Sequence, residues 1–150
     1  MNGKLSAIAI IGATGLCSLA LLSARPVSAQ GQTSTWDGVY TAQQAKKGEA
    51  DYAQNCASCH GNQLEGGEMA PPLTGAAFTA NWNGESLGTL EERIHISMPA
   101  NNPGSLDRQV VADVVAYMLE MNKFPAGKTP LAANPDMVKD LKFVVEKPTK

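Results

Sequence analysis

Aromatic side chains are scarce: three Phe, three Tyr and two Trp among 150 residues. Cores of this size draw much of their buried area from such groups, so this one needs apolar bulk from elsewhere. Cysteine is scarcer, at three, which excludes a small scaffold stapled by several disulfides. Histidine occurs twice. With no second cysteine pair, a four-ligand structural zinc site is short of donors. Basic charge is not in excess either, since 12 Lys+Arg stand against 14 Asp+Glu. That balance argues against nucleic acid and against an anionic membrane surface as partners. No internal repeat is visible, and one domain is the expectation.

The long apolar run lies at the N-terminus, "MNGKLSAIAIIGATGLCSLALLSARPVSAQ". Lys4 supplies a positive start, residues 5–24 carry no charge, and Val27-Ser28-Ala29 offers small residues for cleavage. Residues 1–29 are therefore read as a secretory signal peptide, cut after Ala29. The uncharged run is about 20 residues, long enough to leave an uncleaved membrane anchor as the alternative. Cys17 reads as an ordinary apolar residue of this segment. Cleavage removes Lys4 and Arg25, so Lys+Arg falls from 12 to 10 against 14 acids, a net charge near −4. Cys56 and Cys59 are then the remaining thiols. A periplasmic or otherwise exported location follows.

Residues 30–39 read as a flexible lead-in. "TAQQ" fits a capping box with Thr41 as N-cap and Gln44 reaching back. The helix that follows places Ala45, Gly48, Tyr52 and Cys56 on one face. A glycine inside a helix costs about 1 kcal/mol against alanine, so Gly48 predicts that another backbone comes close. Residues 61–84 are rich in Gly, Pro and Asn and read as a long irregular segment, which a compact domain keeps when something organises it. A second helix carries Leu87, Leu90, Ile94 and Met98 on one stripe, and Pro99 ends it. "ANNPG" is a turn. Ser105 is expected to cap the last long helix, whose stripe runs through Leu106, Val110, Val111, Val114, Val115, Met118 and Leu119. Asp107 in its first turn and Lys123 past its end suit the helix dipole. Residues 128–150 have weak periodicity and are expected to form one short strand or to wrap the body, packed on it or partly mobile.

Residues 55–61 read "NCASCHG". A redox disulfide, half of a zinc site and a covalent haem anchor compete for it. A thioredoxin-like pair needs a strand–helix–strand setting, and this motif follows a helix. Cys-x-x-Cys-His is the attachment signal of c-type haem. Two thiols one helical turn apart match the reach between the two vinyl groups on one porphyrin edge. The next histidine, His60, then faces the iron. Haem also supplies the bulk that the aromatic-poor core lacks. A second axial ligand is commonly Met. Met69 follows His60 too closely, Met118 and Met121 belong to the last helix, and Met137 lies in the tail. Met98, before Pro99 at a helix end, is the candidate, with His95 as the alternative.

In these features the sequence resembles the class I c-type cytochromes, over residues 40–127. The stretch "TAQQAKKGEADYAQNCASCHG" is similar to their first helix and haem turn, "APPLTG" to the segment below the haem, and "ISMPANNPGSLDRQVVADVVAYML" to the Met-Pro loop and last helix. "VYT", "NWNG" and "FPAG" are similar to the cytochrome domains that accompany quinoprotein alcohol dehydrogenases. The resemblance implies an all-α cytochrome c fold, about three to five helices around one covalently bound haem c. It implies Cys56 and Cys59 as thioether anchors and His60 and Met98 as axial ligands. It implies that Pro71, or its neighbour Pro72, offers a carbonyl to the His60 Nδ1–H. It places Gly48 and Tyr52 across the last helix near Val114 and Tyr117, and Trp82 or Arg93 at a haem propionate. The function implied is single-electron transfer rather than catalysis. Redox proteins are the implied partners, a quinoprotein dehydrogenase and a terminal oxidase among them. A membrane is involved only if the leader stays uncleaved. The rival readings are an electron-transfer subunit of a periplasmic dehydrogenase complex and a haem enzyme with a labile sixth ligand.

Overall fold

The computed structural model describes residues 33–149; the leader read over residues 1–29 lies outside the described residues. Among the described residues six α-helices follow a short 3-10 turn, Thr35–Asp37. They are α1 (Ala42–Asn55), α2 (Ala57–His60), α3 (Gly75–Trp82), α4 (Leu87–Ser97), α5 (Arg108–Met121) and α6 (Pro135–Val138). Two of them, α2 and α6, are single turns of four residues, which leaves four longer helices. Among the described residues there is no β-strand, only isolated bridges.

The α1–α5 crossing organises the molecule. Thr41 caps α1, its side chain accepting from the Gln44 N–H. The reciprocal half of the expected capping box is not made. Gln44 is buried, and its amide instead bonds Asp113 Oδ1 (3.1 Å) and both the carbonyl (3.0 Å) and N–H (2.7 Å) of Leu131. A buried amide is drawn to whatever donors and acceptors share its interior. The close approach predicted at Gly48 is present: a Cβ there would lie 1.8 Å from the Asp113 carbonyl oxygen and 3.0 Å from the Val114 nitrogen. One turn on, the Tyr52 and Tyr117 rings pack at 5.6 Å.

Asp113 is 1% exposed inside this crossing. It accepts from Gln44, from Gln109 Nε2 (2.7 Å) and from Lys47 Nζ. Asp113→Ala therefore takes an acceptor from the buried Gln44 amide and from the exposed Gln109 and Lys47 at the helix crossing. The expected loss is about 2–3 kcal/mol, the penalty for unmade buried hydrogen bonds, read as a lower urea midpoint with unchanged slope.

α5 begins later than the sequence suggests. Asp107, not Ser105, is its N-cap. The preceding turn continues through Gly104 (φ 76°), and the Ser105 N–H donates to the Asn102 carbonyl (3.4 Å). At the other end Lys123 adopts a left-handed φ of 68°. Its N–H and that of Phe124 return to the Glu120 and Leu119 carbonyls, closing the helix as a Schellman motif.

The expected irregular stretch 61–84 contains a helix, α3. Thr74 precedes it without capping it; its hydroxyl donates to the Leu64 carbonyl instead. What holds α3 is distant: the Phe78 ring packs edge-on against Phe143 of the tail at 5.9 Å. Phe143 in turn meets Phe124, which meets Trp36, each at 5.1 Å. All three Phe and both Trp, Trp82 included, fall into this one chain of contacts.

Residues 33–39 are built into the body and do not form the flexible lead-in expected over 30–39. The Lys142 N–H donates to the Thr33 carbonyl and its own carbonyl accepts from Thr35, both at 2.9 Å. On its other side the tail meets the start of α4: the Leu87 N–H donates to Leu141 and the Phe143 N–H to Glu85, both at 2.8 Å. The tail thus wraps the body as bridges to both sides of Lys142, with Leu141 and Phe143 buried.

Candidate functional site

Cys56 is where α1 stops and α2 starts. Its carbonyl accepts from the N–H groups of Cys59 (3.1 Å) and His60 (3.0 Å). This single turn sets both thiols and the imidazole on one short piece of chain. The thiols are free, Cys56 partly buried and Cys59 exposed. Burial, with Asp51 and Cys59 nearby, pushes the Cys56 thiol up to about 11. Redox-active pairs and thiolate metal ligands sit in surroundings that lower this value.

His60 is 8% exposed. The chain after it folds back sharply. The Gly66 N–H donates to the His60 carbonyl (2.7 Å), and the Leu73 N–H to the Leu64 carbonyl (2.9 Å). Leu64, fully buried, pivots this loop at a left-handed φ of 62°, a conformation a branched residue adopts only when its surroundings enforce it. The loop delivers the Pro71 carbonyl to His60 Nδ1 at 2.9 Å. Pro71 rather than Pro72 fills this place. With Nδ1–H donating, the Nε2 lone pair is left to bind a metal, and the ring is fixed in orientation and made more basic.

Met98 is the C-cap of α4. Its N–H still bonds the Ile94 carbonyl (2.8 Å), while its backbone has turned extended (φ −124°, ψ 152°). The side chain is partly buried. Of the other methionines, Met69 is 81% exposed, Met118 is buried on α5 and Met137 is exposed. His95, in the last turn of α4, is partly buried and its Nδ1 has no partner.

Trp82 ends α3 half-buried, its ring 6.4 Å from Phe78. Arg93 is exposed in a groove shared with Gly88, Pro135 and Lys139. It stands about 140° round the helix from Met98. The structure thus gathers Cys56, Cys59, His60 and Pro71 on one loop, and leaves Trp82 and Arg93 in packing and surface positions.

Glu91 is the residue that the sequence reading passed over. It is 3% exposed and its Oε1 has no partner. The signal was present: Glu91 stands with Leu87, Leu90, Ile94 and Met98 on the spacing of the apolar stripe.

Among the described residues no three His, Cys, Asp or Glu side chains gather to hold a metal ion, whereas a structural zinc site wants four. The donor set fits haem c. It offers two unjoined thiols a turn apart and, beside them, an imidazole with Nδ1 engaged and Nε2 available.

A match to a protein family agrees. A family model described as "Cytochrome C oxidase, cbb3-type, subunit III" matches residues 43–118. No curated protein matches the chain. Among solved structures, the chain is similar to the sulfane dehydrogenase SoxCD from Paracoccus pantotrophus, at 25% identity and a TM-score of 0.43. That match covers 59% of this chain and 53% of the other, so the chain spans about half the length of that protein.

Proposed function

The chain belongs to the family of c-type cytochrome domains described as cytochrome c oxidase, cbb3-type, subunit III, and from that premise we propose that it is an exported single-haem electron carrier with His60 and Met98 as axial ligands. Covalently bound haem c and a part in electron transfer come with the family. The ligand pair, export and the absence of catalysis are our reading.

Haem c supplies a one-electron Fe(III)/Fe(II) couple. Cys56 and Cys59 would hold it by thioether bonds. The observation that carries the reading is the 2.9 Å bond from His60 Nδ1 to the Pro71 carbonyl. It presents Nε2 in one tautomer and one orientation, which is what a ligand held alike in two oxidation states requires. Met98 supplies a soft thioether, which favours the reduced ion and raises the potential. With His60 and Met98 both held to the haem, oxygen or peroxide would find no open position. Partner proteins then dock weakly, over a small interface near the exposed Cys59. Among the described residues no helix is long and apolar enough to cross a membrane. A quinoprotein dehydrogenase as donor and a terminal oxidase as acceptor remain the partners to test.

Redox titration of the holoprotein, with carbon monoxide added to the reduced form, tests this. The wild type is expected to titrate as one reversible electron and to exclude carbon monoxide. Met98→Ala is expected to keep its haem, bind carbon monoxide and drop in potential by more than about 60 mV, a tenfold change in a one-electron equilibrium. Rapid carbon monoxide binding by the wild type would favour the haem-enzyme reading instead. A standing subunit of a larger complex is the second reading, favoured by the family's own description as an oxidase subunit. Co-purification of the native protein separates it from a free shuttle.

A further inference from the structure

We propose that Glu91, with His95 beside it, is a proton-binding site coupled to electron transfer, so that the protein takes up a proton as it takes up an electron. The proposal rests on the electron-carrier reading above. Glu91 and His95 stand four residues apart on α4, one above the other on the same helix face. Each has a buried polar atom without a partner, Glu91 Oε1 and His95 Nδ1. Buried polar groups in folded proteins are nearly all bonded, so two orphans on one face of one helix mark a place where a proton can bind. Both lie on the helix that ends at Met98.

The charged surroundings of Glu91 are sparse. From α5, Arg108 draws it down, but that guanidinium is already bonded to Glu92 at 2.8 Å. From α6, Asp136 and Lys139 line a groove with Gly88, Glu92 and Arg93 of α4, and the Lys139 backbone lies against Gly88, one turn before Glu91. His95 is the titratable neighbour on the same helix face. Burial dominates and pushes the Glu91 carboxyl up to about 8. Near neutral pH, therefore, a modest change in nearby charge decides whether it holds a proton.

The step balances simply. One electron comes from the redox partner and lowers the interior charge by one. One proton comes from solvent and forms an O–H bond on the Glu91 carboxylate. Oxidation returns both. No bond to iron changes.

The sign of the pH effect on folding follows from the same value. An unfolded glutamate releases its proton near its ordinary 4.5, whereas folded Glu91 keeps it to about 8. Between these values the folded state binds more protons, so stability falls as pH rises and the fall is complete above about 8. Glu91→Gln removes this slope.

The test is the midpoint potential of the holoprotein from pH 6 to 10. The wild type is expected to fall with rising pH toward the one-electron, one-proton limit, tenfold per pH unit or about 59 mV. Glu91→Gln is expected to be flat. Redox-difference infrared spectra of the wild type should show a protonated carboxyl band gained on reduction. Because haem propionates are carboxyls too, Glu91→Asp is the second variant if Glu91→Gln fails to yield holoprotein: the band should shift in it, and an unshifted band overturns the proposal. A reversible couple whose potential does not move with pH, or an equal slope in Glu91→Gln, overturns the proposal and leaves the carrier reading standing. Absence of any reversible one-electron couple sinks the carrier reading itself, and the proposal with it.

Discussion

Gly48→Ala is expected to destabilise the protein by about 3 kcal/mol or more, the upper range for forcing one methyl into a filled core. At an ordinary helix position the same change gains about 1 kcal/mol from propensity. Here the new Cβ would sit 1.8 Å from the Asp113 carbonyl oxygen and 2.4 Å from its carbon. Those are backbone atoms of α5 and cannot swing aside as a side chain would. The two helices must separate, which loosens the Tyr52–Tyr117 packing and the Gln44–Asp113–Leu131 network at the same crossing. Gly67→Ala is the matched control. The nearest atom to its added Cβ is 3.7 Å away, so its effect is expected to stay within about 0.5 kcal/mol. Urea unfolding of the two holoproteins checks both values. Equal midpoints would show that the crossing can open without cost.

The second large effect lies at the haem turn. Replacing Cys56 and Cys59 together by alanine is expected to abolish covalent haem. Stained denaturing gels should then show no haem on the chain, and acidified organic solvent should extract whatever remains bound. A ligand held only by mass action stabilises in proportion to its free concentration, about 4 kcal/mol at a thousandfold excess over Kd. Covalent attachment removes that dependence. The double variant should accordingly melt lower on dilution, whereas the wild type should not. Its Phe and Trp side chains cluster on the tail side around Phe143 and leave little to substitute for the missing bulk. A chain that kept haem on denaturing gels without either cysteine would contradict the thioether assignment.

Local signals made part of this fold legible. Thr41 caps α1 through its own hydroxyl, Gly48 marks the close crossing, and Pro99 follows the end of α4. Each acts within a few residues of the feature it sets. What escaped was set at a distance. Helix α3 has no capping side chain and is held by Phe78 against Phe143, far along the chain. Residues 33–37 looked like a flexible lead-in because the partner that orders them, the tail at Lys142, lies far along the chain. The start of α5 was displaced by a turn whose left-handed Gly104 overrode the capping preference of Ser105.

The site divides the same way. Cys56, Cys59 and His60 declare themselves by spacing alone. The choice of Pro71 over Pro72 needed the folded loop, because adjacent prolines are equivalent in sequence and differ only in where their carbonyls point. Glu91 shows the opposite case: its position on an apolar stripe was readable, but its lack of a partner was not. Trp82 and Arg93 were carried over from the resemblance as propionate contacts; Trp82 packs on Phe78 and Arg93 lines a surface groove.

The distal ligand is the hinge of the account, and one measurement addresses it directly. Sulfur bound to ferric haem iron gives a weak far-red charge-transfer band that nitrogen ligation does not. The oxidised wild-type holoprotein is expected to show this band, Met98→Ala to lack it, and His95→Ala to keep it. A wild type without the band, or a band that survives Met98→Ala, would contradict the assignment of Met98 and with it the electron-carrier reading built on that ligand.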